Sequence, residues 1–412
     1  HSRALLMQLG AWDSTGAVSS IGKWMAKLPV HPRLARFVLA AAELGAAEQA
    51  CQVAAWLSEG RIRLDDYARK RYSSDIEAIL ASEPSYAVRR LTKQLRDAVR
   101  PVSSERSADH AVEKALLIAY SDRVARKRDS TLLLSSGGAA KLDPSSTAAG
   151  EFLVALEIDD RSGGTMPLIR LASHIEPDWL LELFPNEVQP HEEMTWNREA
   201  ERVEQVNSLR YGQLVIDESR GAPTDPAAAA RLLVQKALEA GVERFTDAEE
   251  LGRFLRRIHF AAGHNTAIHV PDDLVSVSLL ELAAGLSSFS ALRDAAKNGG
   301  LLAVMESKLP MRLINEIAPT HVQLPSGRRA RIEYHEGRPP SVASRLQDFF
   351  GMKQTPTVAG GSVPLVVHLL APNQRPVQMT TDLVSFWKNL YPQVRRELSR
   401  RYPRHAWPEV PA

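Results

Sequence analysis

The sequence predicts a multidomain α+β protein: a helical bundle, then a small β-barrel, then a mixed α+β C-terminal domain. Three observations carry this reading. The 412 residues exceed the roughly 250–300 at which a single hydrophobic core stops growing. Apolar residues recur at a helical period in the first part of the chain, alternate through the middle, and return to the helical period before a mixed ending. Charge is unevenly spread, although the net is only +2. Residues 61–128 hold 16 Lys+Arg against 10 Asp+Glu, residues 151–205 hold 4 against 13, and residues 320–412 hold 13 against 6. Two basic blocks around an acidic one suggest that one surface meets a polyanion while another faces solvent or a basic partner.

The first sixty residues read as short helices. "LLMQLGAWD" ends at a glycine, "SSIGKWMAKLP" follows a polar turn, and "HPRLARFVLAAAELG" has Pro32 near its start and Gly45 at its end. Leu34, Phe37, Val38, Ala41 and Leu44 share a face, and the next helix turns Val53, Trp56 and Leu57 inward. Alanines let such helices approach closely, as a compact bundle requires. Cys51, the single cysteine, excludes an internal disulfide and reads as a buried structural thiol in a reducing compartment.

"YAVRRLTKQLRDAVR" is more pointed. Val88, Leu91, Leu95 and Val99 form one stripe, and Arg89, Lys93, Arg96 and Arg100 another about 125° away by the helical period. Two readings stand: a solvated face, or a row of cations for phosphates, the latter favoured by the absence of acids at the matching positions.

Alternation begins at "DRVARKRDSTLLLSSGGAAKLDPSS". "EFLVALEI" alternates Phe152, Val154, Leu156 and Ile158, "TMPLIRLASHI" is a further strand, "EPDWLLELFP" a short helix, and "AERVEQVNSLRYGQLVIDES" supplies more strands. Five or so strands with an inserted helix, over about 95 residues, match a small barrel such as an OB-fold.

Helices return with Asp225 as N-cap and Gly241 at the end of the first, then a capping box Thr246…Glu249, then stretches near 272–286, 288–296 and 301–317. A hairpin around Pro-Ser-Gly carries Arg328, Arg329 and Arg331 near its tip. "MKQTPTVAGGSV" (352–363) reads as a mobile loop or lid. Two strands follow, with a turn at Asn373-Gln374 between them. In the closing helix Leu383, Trp387, Leu390, Tyr391, Val394 and Leu398 form the apolar stripe, with Arg396 and Arg400 opposite. Pro392 implies a kink or a fresh start. Tyr402 and Trp407, each before a proline, read as anchors pinning the tail rather than as stacking platforms.

Catalytic signatures are missing from the sequence. It contains no G-x-x-x-x-G-K-[ST] phosphate loop, DExH-type acidic box, G-x-G-x-x-G, H-E-x-x-H, C-x-x-C or G-x-S-x-G. His259, His264 and His269 are five apart and share no helical face, so no metal site is expected there. No catalytic residue is therefore assigned. No apolar run approaches the ~18 residues of a membrane span, so no membrane partner is expected. The opening "HSRALLMQLG" is no secretion signal, and it reads as a piece of something longer.

Three stretches resemble a known family. "QLGAWDSTGAVSSIGKWMAKLPVHPRLARFVLAA" is similar to the end of the winged helix and start of the ratchet domain of DEAH-box RNA helicases. "YSDRVARKR…AAKLDPSS" resembles the opening of their OB-fold. "LPSGRRARIEYHEGRPPSVASRLQDFFG", "TPTVAGGSVPLVVHLLAPNQRPVQMTTDLVSFWKNLY" and "RYPRHAWPEVP" look like the C-terminal domain of bacterial HrpB helicases. The resemblance implies a winged-helix remnant at 1–30, a ratchet at 31–122, an OB-fold at 123–222 and an HrpB-specific module at 223–412, helical to about 318 and mixed beyond. It implies a cytoplasmic RNA helicase whose ATP and magnesium belong to RecA-like motor domains outside this chain, which alone should be inactive. It offers Arg123, Arg126, Lys127 and Arg128 as RNA-facing, with an ion-paired barrel entrance as the alternative. Asp143 stands where relatives often have histidine, which leaves Ser145 and Ser146 with a turn role or a phosphate contact.

Two functions remain open. One is a clamp on single-stranded RNA or DNA, regulating or coupling unwinding, through the two basic clusters with Arg396 and Arg400. The other is a platform docking a protein partner or the parent's own motor domains.

Overall fold

The computed structural model describes residues 2–13, 15–60, 71–100, 104, 108–159 and 166–411. Part of the first basic block, including 61–70, thus lies outside the described residues. The chain forms two compact units: residues 1–193 with 206–219, and residues 194–205 with 220–412.

The first unit begins with helices Ser2–Gln8 and Ser20–Met25. Ser19 caps the second by accepting from Gly22 N at 2.9 Å. A Cβ on Gly22 would meet the Ala11 carbonyl oxygen at 2.1 Å, so only glycine lets these segments touch. Helices Pro32–Glu43, Ala47–Glu59, Asp75–Ala81, Tyr86–Val99 and Ala111–Ala119 follow, packed on alanine-rich faces. Arg33 is 7% exposed and grips Asp122 through two bonds, 2.7 and 2.6 Å, tying the bundle to the start of the barrel.

The barrel is closed and five-stranded: β1 Val124–Arg128, β2 Thr131–Leu134, β3 Ala139–Leu142, β4 Phe152–Asp159 and β5 Leu168–His174, in the order β1-β2-β3-β5-β4. Only β3 and β5 run parallel, with Lys141 opposite Leu168. Strand β4 does not alternate as expected, since Phe152 through Leu156 are all buried. Leu153 and Ala155 face the small interior shared with Ala125, Leu132, Ala140, Ile169 and Ala172. Phe152, Val154 and Leu156 pack outward into the cluster formed with the helices. A strand covered on both sides loses its polar face.

The barrel closes over a shorter stretch than expected. After helix Pro177–Leu183, the strands β6 Val188–Asn197, β7 Arg202–Tyr211 and β8 Leu214–Gly221 form a separate three-stranded sheet. β6 escapes the sequence reading because "VQPHEEMTWN" is largely exposed and carries no apolar alternation.

The second unit packs helices Pro226–Ala240, Ala248–His264, Leu274–Leu282, Phe289–Ala296, Gly300–Ser307 and Met311–Ile317 with a five-stranded sheet around one core. Asp225 caps the first, as expected. The second is capped one residue later than the expected Thr246…Glu249 box: Asp247 accepts from Glu250 N at 2.8 Å. The helix expected over 301–317 is two, divided at Pro310, which offers no N–H to continue the first.

The sheet runs β13-β12-β11-β10-β9, from β9 His321–Gln323, β10 Arg329–His335, β11 Arg338–Arg345, β12 Val366–Leu370 and β13 Pro376–Thr380. β11 and β12 are parallel, Val342 opposite Val367.

Residues 352–363 correct the lid expectation. Thr357–Val358 pairs with Val363–Pro364, and Val358 and Ala359 are buried. Met352 O accepts from the Trp387 indole at 3.0 Å and Thr355 Oγ1 accepts from Leu383 N at 2.9 Å. A glycine-rich composition marks backbone freedom, but these side-chain anchors remove it.

The last helix, Tyr391–Arg401, follows a π-turn over Phe386–Leu390, so the irregularity falls just before Pro392. Leu383, Trp387, Tyr391 and Leu398 are buried, but Leu390 is 44% exposed. The wider turn rotates Leu390 out of the expected stripe. The tail folds back: Tyr391 OH donates to Pro408 O at 2.9 Å, and the Trp407 indole to Tyr402 O at 3.0 Å. Trp407 packs against the core, so it is an anchor.

Candidate nucleic-acid interface

Helix Tyr86–Val99 is positioned by its cap and its apolar face. Ser85 Oγ accepts from Val88 N at 3.1 Å and donates to Glu59 at 2.9 Å, fixing the helix start to the end of Ala47–Glu59. Val88, Leu95 and Val99 are buried, and Leu91 is partly so. Arg89, Lys93, Arg96 and Arg100 are exposed. Arg96 pairs with Glu48 at 3.2 Å, with both side chains about half or more in solvent; such a pair contributes under about 1 kcal/mol. Arg89, Lys93 and Arg100 have no side-chain partner among the described residues. Arg89, Thr92, Lys93 and Arg96 line a shallow groove with Gln52 and Pro84.

Tyr86 was missed by the sequence reading and belongs with this row. It is 78% exposed, and by the helical period it points about 180° from the buried stripe, between Arg89 and Arg90. Its wheel position was the available signal. A tyrosine in the first turn ordinarily reads as core.

At the barrel opening the four basic residues divide. Arg126 pairs with Glu151 at 2.6 Å, donates to Val215 O at 2.6 Å and lies over the Phe152 ring at 5.3 Å. Arg123 donates to Leu156 O at 3.3 Å and lies 5.7 Å from the Tyr120 ring. Both are held by the barrel itself, while Lys127 and Arg128 are exposed. Nearby, burial first and then Arg33 and Arg123 lower the pKa of His31. Its Nδ1 accepts from Arg33 N at 3.3 Å.

The "LDPSS" segment is engaged internally. Asp143 accepts from Ser145 N at 2.8 Å and Ser145 Oγ at 2.7 Å. Ser146 Oγ donates to Asp75 at 2.7 Å. Asp75 is fully buried and also accepts from Thr147 N, Thr147 Oγ1 and Ala172 N at 2.6, 2.9 and 3.0 Å. The serines thus hold a turn against the helix that Asp75 begins.

In the second unit, Arg396 and Arg400 are exposed without a side-chain partner among the described residues. Arg395 is held by Trp407 O at 2.9 Å and Glu409 at 3.2 Å. Among the described residues, no three His, Cys, Asp or Glu side chains are grouped to hold a metal ion. No helix among them is long and apolar enough to cross a membrane.

Comparison with known proteins gives these observations a setting. Residues 279–411 match a family described as ATP-dependent helicase C-terminal. The whole chain is 30% identical, over 423 residues, to the ATP-dependent RNA helicase HrpB of Escherichia coli (strain K12), covering 51% of that protein. Two solved structures are similar in sequence. The E. coli DExH-box NTPase HrpB is 28% identical, TM-score 0.44, with all of this chain and 51% of that one covered. The Escherichia coli DEAH/RHA helicase HrpB is 26% identical, TM-score 0.42, with 98% and 51% covered. This chain therefore spans about half the length of the relatives it matches. The match over residues 279–411 and the sequence similarity along the whole of this chain make it similar to the C-terminal half of the HrpB helicase.

Proposed function

We propose that this chain is the accessory region of an ATP-dependent RNA helicase of the HrpB type, acting in the cytoplasm as a clamp on single-stranded nucleic acid. ATP and magnesium would be held by RecA-like motor domains in the half it does not span, and the clamp would couple or regulate their unwinding. The helices over 31–122 would be the ratchet, after a winged-helix remnant at 1–30. The barrel would be the core of an OB-fold within 123–222, a reading supported by its order β1-β2-β3-β5-β4. Residues 223–412 would be the HrpB-specific module.

The observation that carries the clamp is the outward row Arg89, Lys93, Arg96 and Arg100, of which three cations are unpaired among the described residues. Regularly spaced cations on a rigid helix neutralise successive phosphates without reading bases. Tyr86 adds a face on which a base can stack. Lys127 and Arg128 would extend the contact, and Arg123 and Arg126 would shape the barrel behind them.

The test is the salt dependence of binding to a labelled oligouridylate. Each phosphate contact adds about 0.7 to the slope of log K against log salt on single strands. The triple variant Arg89→Gln/Lys93→Gln/Arg100→Gln should lower that slope by about 2. An unchanged slope, or no salt-sensitive binding by the parent chain, removes the reading.

A second reading, docking of a protein partner or of the motor domains, is favoured by the exposed Met379, Val384 and Leu390 in the last unit. Charge reversal of Arg396 and Arg400 separates the two. Weaker RNA binding with unchanged partner capture assigns these arginines to RNA, and the converse assigns them to docking.

A further inference from the structure

Helix Ala248–His264 and the turn joining β10 to β11 line an open groove of about 840 Å³. Arg256, His259, Phe260 and His264 come from the helix, and His335 and Arg338 from the strand ends that flank the turn. None of these residues belongs to the basic clusters described above.

Three features make the groove chemically specific. The first is a ladder of rings. Phe260 lies 4.9 Å from Tyr334 and 4.2 Å from His264, the latter tilted by only 30°. Tyr334 is buried and anchored through its OH to Pro319 O, so the ladder is fixed at its inner end. His264 is exposed and forms the outer end.

The second feature is charge. Arg338 is exposed with no side-chain partner among the described residues. Among the described residues Arg256 uses only Nε, donating to Tyr334 O at 3.2 Å, which leaves its terminal nitrogens for a ligand. Glu336 is the one acid in the lining among the described residues.

The third is the orientation of the histidines. His259 Nδ1 lies 2.8 Å from Leu255 O, and His264 Nδ1 lies 2.8 Å from Phe260 O. A carbonyl oxygen only accepts, so Nδ1 carries the proton in both rings and Nε2 is the free nitrogen.

We propose that this groove binds a short segment of single-stranded RNA. Arg256 and Arg338 take phosphates, one base stacks on the His264 end of the ladder, and His259 Nε2 offers a polar contact beside it. Cations next to a ring platform suit a ligand that alternates phosphates with flat bases. An acidic peptide would use the arginines and leave the ladder idle. The proposal shares its ligand with the clamp reading but none of its residues, so the two fail separately.

The experiment uses the full chain and an oligouridylate carrying 4-thiouridine, with photocrosslinked peptides identified by mass spectrometry and affinity read by anisotropy. Crosslinks are expected within 248–264 or 335–345, and they should persist in Arg89→Glu/Lys93→Glu. Arg256→Glu/Arg338→Glu should weaken binding at least about ten-fold and lower the salt slope by about 1.4. Arg256 also bonds the backbone, so Arg338→Glu with His264→Ala serves as a second pair that breaks no bond of Arg256. Parent-like affinity in both pairs with no crosslink in the groove overturns the proposal. So does loss of oligoglutamate binding with RNA binding unchanged, which would make the groove a peptide site.

Discussion

Replacing Asp75 should destabilise the first unit more than any change at its surface. The carboxylate is fully buried and accepts four hydrogen bonds, two from Thr147, one from Ser146 and one from Ala172 N. Asp75→Ala leaves the buried Ala172 amide without an acceptor, at about 1–3 kcal/mol. The Thr147 amide sits at a half-buried position and the two hydroxyls can rotate toward water, so together they add about 1–2 kcal/mol. A loss of about 2–5 kcal/mol follows, or roughly 4–20 °C in Tm for a unit of this size. Asp75→Asn keeps one accepting oxygen and should lose about half as much. Thermal melts followed by far-ultraviolet circular dichroism measure this directly. Ser146→Ala, which removes one of the four bonds, should cost about 1 kcal/mol and leave oligouridylate affinity unchanged. A Tm for Asp75→Ala within a degree or two of the parent would refute the argument that this carboxylate clips the barrel to the helices. A loss of RNA affinity in a stably folded Ser146→Ala would return that serine to the interface.

Three further outcomes follow from buried groups. Burial, then Glu48, pushes the Cys51 thiol up to about 12 from its ordinary value of 9.0. The native state thus holds that proton more tightly than the unfolded chain, and this contribution to stability is intact below about pH 9 and declines between there and about pH 12. Correspondingly, iodoacetamide at pH 8 should modify Cys51 only after denaturation, and rapid native labelling would contradict the assignment. Tyr391→Phe removes the bond to Pro408 O and should cost about 1 kcal/mol, with earlier proteolysis after Arg401 as the readout; an unaltered cleavage rate would mean that Trp407 alone pins the tail. Ala359 sits at φ 52° and is buried, so Ala359→Gly should be neutral or stabilising while Ala359→Val should lose at least about 2 kcal/mol, both read by urea unfolding.

Local chemistry made much of this chain legible before any coordinates. A wheel calculation needs only the order of residues, and Val88, Leu95 and Val99 are buried with four cations outward, as that order requires. The Asp225 cap acts within three residues, and it was readable for the same reason. The closing stretches of the sequence also carried the family likeness that the comparisons then supplied.

What escaped the sequence depends on partners distant along the chain. Nothing in "EFLVALEI" reveals that helices cover its outer face, so its alternation was misjudged. Glycines in 352–363 suggested mobility, but Trp387 and Leu383 supply the bonds that hold the segment. Arg126 and Lys127 are neighbours of like charge, yet Glu151 and Val215 bind one and leave the other in solvent. Tyr334 and Phe260 are some seventy residues apart, and only the packing of the second unit brings their rings together. Periodicity and capping are local properties, so sequence order determines which face of an element is apolar and where it starts. Which charges remain available to a ligand depends on distant carboxylates and carbonyls, and that was decided by the tertiary structure.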